Sequence, residues 1–165
     1  MSATSRHTVQ SLRTLLSTIN DPEVPVINII ELGIVRDVSM VNDQVSVTIT
    51  PTYSGCPAMK MIEDEIRQVL SDHGISQVTI HTVFSPAWTT DWIDDRTKAK
   101  LKHYGIAPPH IVQQSPVLQI QLPTVLCPQC NSKNTHLKSE FGSTACKAYY
   151  FCDSCRQAFE YFKAF

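Results

Sequence analysis

Two Cys-x-x-Cys pairs, Cys127-Pro128-Gln129-Cys130 and Cys152-Asp153-Ser154-Cys155, stand 21 residues apart near the end of this 165-residue chain. They constrain its folding more than any other stretch. Each pair can turn two thiolates onto one ion, so Cys127, Cys130, Cys152 and Cys155 are expected to close a tetrahedral sulfur site suited to structural zinc, with iron the chemical alternative. A redox dithiol needs only one such pair, and no thioredoxin-like pattern accompanies either. Segments 135–141, 147–151 and 158–163 look like short strands. Residues 125–165 are therefore expected to form a zinc ribbon, whose metal replaces the core that about 40 residues cannot supply.

Upstream, the pattern switches between helical and strand periods. Val9, Leu12, Leu15, Leu16 and Ile19 recur at helical spacing, predicting a first helix over about 6–19 that stops at Asn20-Asp21-Pro22-Glu23. The apolar stretch 26–33 has too little period for a regular element and is expected to be a loop or short helical turn. Residues 34–40 and 45–50 read as a β-hairpin across Val41-Asn42-Asp43-Gln44. From Pro57 onward, Ala58, Ile62, Ile66, Val69 and Leu70 oppose Lys60, Glu63, Asp64, Arg67 and Ser71, predicting an amphipathic helix that ends at Gly74. A third strand is expected over 77–84. A last helix is expected over 93–104, capped by Asp91 or Thr90, with Trp88 and Trp92 before it as core cover. The fold class is α+β, a small α-β-β-α-β sandwich over residues 1–106 followed by the C-terminal ribbon. Residues 107–124, with four prolines and four glutamines, read as a linker.

Thr52-Tyr53-Ser54-Gly55-Cys56-Pro57 joins the clearest strand to the clearest helix. Proline suits the first helical position, which puts Cys56 at or beside the N-cap. The helix terminus is then expected to lower the thiol pKa below its free value of about 8.5. The competing reading is a small cysteine packed under the turn. Asp21 and Glu23 read either as a functional acidic pair or as turn residues capping local backbone. Cys146, six residues before Cys152 and beside Lys147, reads as a thiolate candidate or as a buried cysteine.

Composition narrows the function. A formal charge of -1 supplies no global field for nucleic acid or anionic membrane. From Val125 onward five Lys or Arg meet three Asp or Glu, and a zinc with four thiolates would make the ribbon near neutral, a poor footprint for nucleic acid. Aromatic residues Tyr149, Tyr150, Phe159, Tyr161 and Phe162 favour a protein-contact role, with several of them needed for the module's own core. No apolar run approaches a membrane span and the first residues lack a signal-peptide core, so a cytoplasmic location is expected, where cysteines serve as ligands or reactive thiols. The five glycines form no phosphate-cradling loop.

Asp21-Pro22-Glu23, the hairpin, Thr52 to Pro57 and the following helix resemble the small α+β domain of the iron-sulfur cluster assembly family, over roughly residues 9–105. With Ser85-Pro86-Ala87-Trp88-Thr89-Thr90-Asp91-Trp92, Phe141-Gly142-Ser143-Thr144-Ala145-Cys146-Lys147-Ala148 and the ribbon, the whole chain resembles the D-subunit family of the phenylacetyl-CoA epoxidase systems. The resemblance implies an accessory protein of aerobic phenylacetate degradation that assembles or delivers an iron or iron-sulfur centre. In it Cys56 matches the functional cysteine and Asp21 and Glu23 the acidic turn, while Cys146, the cysteine left over from the two pairs, is a second ligand candidate on its own residues. It implies structural zinc, a transient iron or iron-sulfur cluster, and partners among the other epoxidase components, namely the iron-sulfur reductase or the di-iron oxygenase subunits. A second copy of the chain is a further partner candidate. The alternative is a non-catalytic structural subunit of the epoxidase complex. No Glu-x-x-His pair for a di-iron site and no flavin or nicotinamide fingerprint occurs, so no catalytic activity of its own is expected. A covalent role for Cys56 with a histidine base is the weaker chemical reading.

Overall fold

A computed structural model describes residues 7–109 and 124–164. The chain divides between Trp88 and Thr89 into two compact units. In the first, helix α1 (Val9–Leu16) starts from Thr8, whose hydroxyl accepts from the Ser11 amide at 3.1 Å while the Ser11 hydroxyl accepts from the Thr8 amide at 2.9 Å. This reciprocal cap sets the helix start at Val9, three residues later than periodicity alone predicts. Leu12 and Leu16 point inward and are fully buried.

The hairpin joins β1 (Val35–Val41) to β2 (Gln44–Ile49). Its turn is two residues, Asn42 and Asp43, both left-handed at φ 49° and 62°, which is the geometry Asn and Asp tolerate and whose twist matches the flanking strands. β3 (Val78–Thr82) lies parallel to β2, giving the order β1-β2-β3. A parallel neighbour requires a crossover, supplied by α2 (Ala58–Asp72). α1 packs on α2 and β1, and α2 packs on β3. Val45, Val47 and Ile49 alternate along β2 into the core beneath Ile62, Ile66 and Leu70. The third strand stops at Thr82, earlier than expected, and leaves Phe84 65% exposed. Trp88 is core cover, its indole N–H donating to the Leu32 carbonyl at 2.8 Å.

In the second unit a 3-10 turn (Thr90–Trp92) precedes α3 (Asp95–Tyr104). The cap of α3 is Asp94, accepting from the Thr97 amide at 2.7 Å, rather than Asp91 or Thr90. Gly105, at φ 96°, ends the helix in the left-handed region. The chain then forms β4 (Ile106–Ala107), the outer strand of a sheet completed by β5 (Thr135–Ser139), β6 (Lys147–Cys152) and β7 (Ala158–Phe162) in the order β4-β7-β6-β5. Because β4 pairs in parallel with β7, α3 and β4 fall in the same unit as the ribbon, whereas a boundary near residue 106 was expected from the sequence. Most of the expected linker, residues 110–123, lies outside the described residues. The ribbon core gathers Ala107, Val125, Ala148, Tyr150, Phe159 and Tyr161 around buried Cys127 and Cys152, with the Tyr150 ring 5.9 Å from Phe159 and 5.7 Å from Tyr161.

Ile62, fully buried between α2 and the sheet, tests this packing. Ile62→Ala is expected to lower unfolding free energy by about 2–5 kcal/mol in denaturant melts.

Candidate functional site

Cys56 sits where β2 gives way to α2. Gly55 takes φ 89° with open space where a Cβ would stand, so backbone conformation and not crowding requires glycine there. The Cys56 amide donates to the Tyr53 carbonyl at 3.2 Å, closing the loop. Pro57 occupies the N-cap position, which moves Cys56 one residue outside the helix, and no side chain caps the terminus through an oxygen. The amide of Ala58 instead donates to the Cys56 thiol, as does the hydroxyl of Thr52, a residue only 8% exposed. Sequence alone gives no signal for Thr52 beyond its place four residues before the cysteine.

The expected lowering of the thiol pKa is overturned. Half-burial pushes the Cys56 thiol up, the Ala58 amide pulls it down, and the carboxylates of Glu23 and Asp21 push it up further, with Thr52 a smaller opposing influence. Burial and two nearby negative charges outweigh one helix amide, so the thiol is held above its ordinary value. The acidic turn therefore reaches the cysteine electrostatically. Asp21 also has the local duty expected of a turn residue: its Oδ1 accepts from the amides of Glu23 and Val24, both at 2.8 Å, and the residue is 4% exposed.

In the second unit the four ribbon sulfurs lie within 4.8 Å of one another. Cys127 and Cys155 are 3.7 Å apart and Cys130 and Cys152 are 3.6 Å apart. A tetrahedral ion with sulfur bonds of about 2.3 Å needs separations of about 3.8 Å, so this donor set fits one metal ion. The two knuckles are built alike. The Asn131 amide returns to the Cys127 carbonyl and the Arg156 amide to the Cys152 carbonyl, each at 2.9 Å, with Asn131 at φ 59° and Arg156 at φ 61°. Amides of Ser132 and Gln157 point at the sulfurs of Cys130 and Cys155. Crowding splits the acidities: the Cys155 amide helps draw Cys152 down to about 7, while burial pushes Cys155 up to about 12. A cation would stabilise all four thiolates and release their protons.

Cys146 lies in the second unit, 2% exposed, with the Thr144 hydroxyl 3.1 Å from its sulfur. Lys147, which the sequence offered as a thiolate-stabilising neighbour, turns its ammonium to Glu160 at 3.1 Å and is itself buried. Although burial opposes it, Ser143 and Lys147 hold the Glu160 carboxyl below its ordinary range. The Ser143 amide donates to Glu160 at 2.6 Å, so the loop 141–147 is tied down by a partly buried pair that adjacent sequence does not reveal. Cys56 and Cys146 thus fall in different units.

Residues 10–80 match the family described as iron-sulfur cluster assembly protein. Residues 113–163 match the PaaD zinc beta ribbon domain. Over 155 residues the chain is 46% identical to the putative D subunit of the 1,2-phenylacetyl-CoA epoxidase of Escherichia coli (strain K12), covering 94% of this chain and 92% of that one. The chain belongs to the phenylacetyl-CoA epoxidase D-subunit family. Its first part has its own relatives outside the D-subunit family. The Fe-S protein maturation auxiliary factor YitW of Bacillus subtilis (strain 168) is 34% identical over 94 residues, 56% of this chain and 91% of that one. The crystal structure of a domain of unknown function, DUF59, from Bacillus anthracis superposes with a TM-score of 0.53 at 28% identity, covering 56% of this chain and 90% of that one. Both matches stop well short of this chain's full length, as they should if D-subunit proteins add a ribbon to a smaller assembly domain.

Two substitutions probe these sites. Glu23→Gln removes a charge that raises the Cys56 thiol, so iodoacetamide should alkylate Cys56 faster at pH 8 than in the wild type, read by mass spectrometry. At Gly142 an added Cβ would stand 2.7 Å from Glu160 Oε1, which Ser143 and Lys147 hold in place. Gly142→Ala is expected to cost about 1–3 kcal/mol in chemical denaturation.

Proposed function

We propose that this chain is an accessory maturation protein for a phenylacetyl-CoA epoxidase, assembling or delivering an iron or iron-sulfur centre through Cys56. The observation that carries this reading is the half-buried thiol held under the charges of Asp21 and Glu23. A protonated thiol beside two carboxylates is a poor nucleophile and a good waiting ligand: the carboxylates attract a cation, and the arriving cation displaces the thiol proton. One soft ligand with few fixed companions also suits a cargo that must leave again. Affinity for such a cargo should rise with pH until the thiol ionises by itself, because below its raised pKa each uptake must release a proton.

Zinc is the ion assigned to Cys127, Cys130, Cys152 and Cys155, with the role of holding the ribbon together. The ribbon then serves as the docking module toward the other epoxidase components, the iron-sulfur reductase or the di-iron oxygenase subunits, and a second copy of the chain could share the cargo through its own Cys56. Cys146 is the secondary ligand candidate. No helix among the described residues is long and apolar enough to cross a membrane, and a maturation role belongs in the cytoplasm, where thiols stay reduced. The competing reading, a non-catalytic structural subunit of the epoxidase complex, draws on the Escherichia coli relative, whose name makes it a component of an epoxidase.

Anaerobic incubation with ferrous iron and sulfide, followed by elemental analysis, separates these readings. Wild type is expected to gain iron and thiolate-to-iron absorption while retaining about one zinc per chain, and Cys56→Ser is expected to keep the zinc and gain no iron. Equal iron uptake by the Cys56→Ser protein would overturn the role given to Cys56. A requirement for the chain in turnover by already mature epoxidase would decide for the structural component.

A further inference from the structure

Lys147 and Phe162 are buried at one end of the outward face of the ribbon sheet, and the part of that face around Tyr149 and Phe151 serves neither the metal nor the core. Tyr149 and Phe151 flank buried Tyr150 along β6, so their rings rise from the opposite face. Strand register sets Tyr149 beside Ser139 and Glu160, and Phe151 beside His136 and Ala158. Around these rings stand cations. Lys138 Nζ lies 5.4 Å and Arg156 Cζ 6.0 Å from the Phe151 centroid, and Lys163 Nζ lies 4.6 Å from the Phe141 centroid. Phe141 is 66% exposed and Tyr149 42%.

Among the described residues no ion pair reaches Lys138, Arg156 or Lys163. Acids that could have neutralised them are engaged: Glu160 with Lys147 at 3.1 Å and Asp153 with His136 at 2.8 Å. Glu140 is the one other acid in residues 125–165. Rings at the centre and unpaired cations around them make up the pattern of a protein interface, in which aromatic residues and arginine anchor contact and charges set partner choice.

We propose that this face, built from Phe141, Tyr149 and Phe151 with Lys138, Arg156 and Lys163, docks an acidic segment of a partner protein. The rings supply apolar contact, and the three cations receive Asp or Glu side chains. Single-stranded nucleic acid would also stack on such rings, but the charge is too small to track a phosphate backbone. The whole second unit holds nine Lys or Arg against six Asp or Glu, and four metal-bound thiolates remove two of those three net charges. The proposal rests on the ribbon being a docking module and requires nothing of Cys56.

The probe is a short fluorescein-labelled peptide alternating Glu or Asp with Leu and Phe, followed by fluorescence anisotropy with the full chain. Binding that weakens as salt rises is expected, with at least about a tenfold loss in the combined Lys138→Glu, Arg156→Glu, Lys163→Glu variant. Should that variant lose its zinc, Phe141→Ser with Tyr149→Ser tests the same face, since both side chains are exposed. Cys56→Ser should bind the peptide as wild type does, so a failure of iron uptake and a failure of docking are read separately. The proposal is overturned by no peptide binding, by binding that survives the face variants, by equal binding of a Lys-rich peptide, or by tighter binding of labelled oligothymidylate.

Discussion

Four sulfurs within 4.8 Å of one another repel one another as thiolates and gain little from one another as thiols, so a shared cation is what would make their meeting favourable. The second unit depends on that exchange. Each knuckle turns through a left-handed residue, Asn131 or Arg156, a conformation that non-glycine residues adopt at a cost. The amides facing the sulfurs offset that cost only when the sulfurs carry charge. β6 and β7 run out from the second knuckle, and the Tyr150, Phe159 and Tyr161 cluster lies against Cys127 and Cys152. The apolar core is thus an extension of the metal site. Even then the module is too small to be closed by metal alone, and β4, arriving from α3, adds an outer strand to β7.

The first unit is organised by a different constraint, the parallel pairing of β2 and β3. A parallel neighbour obliges the chain to leave the carboxyl end of β2, cross over through α2 and re-enter at the far end of β3. The loop carrying Cys56 must therefore stand where strand ends and helix start converge. A helix start supplies an amide for a thiolate, and in a solvated, uncharged setting that would yield an acidic, reactive thiol. Here the turn at Asp21 and Glu23 places two carboxylates within electrostatic reach, and burial acts in the same direction as they do. What results is a thiol held above its ordinary pKa, which weakens it as a nucleophile for a carbonyl and is compatible with the ligand role proposed above.

These two constraints differ in how visibly they are written. Helix and strand identities follow from periodicity, and α2 and the hairpin stand where the alternation of Val45, Val47 and Ile49 and the spacing of Ile62, Ile66 and Leu70 require. The metal site was equally legible, because Cys-x-x-Cys spacing is itself the geometry of a knuckle. What was hidden depends on contacts distant in sequence. The acidity of Cys56 turns first on its burial and then on Glu23 and Asp21, more than thirty residues earlier in the chain. The pairing that commits Lys147 depends on Glu160, across two strands. The two-residue β4 is too short for any periodic signal and exists only because β7 is there to receive it. Capping chemistry shows the same limit at short range: Asp91, Asp94 and Asp95 are all plausible helix starters by type, and only backbone geometry selects Asp94.

Moving α3 into the second unit changes its electrostatics as well as its boundary. Counted from Val125, the ribbon holds five basic and three acidic residues; counted from Thr89, nine and six, while Met1–Trp88 holds five basic and nine acidic. In formal side-chain charge the first unit is therefore -4 and the second +3, and four thiolates on a divalent ion would bring the second close to neutral. For the ligand role proposed for Cys56, an acidic first unit would raise the local concentration of cations around a thiol that burial, Glu23 and Asp21 already hold above its ordinary pKa. The ligand role proposed for Cys56 and the docking proposed for the ribbon face ask for opposite local charge, and the formal charge of the chain is divided between the two units that carry them.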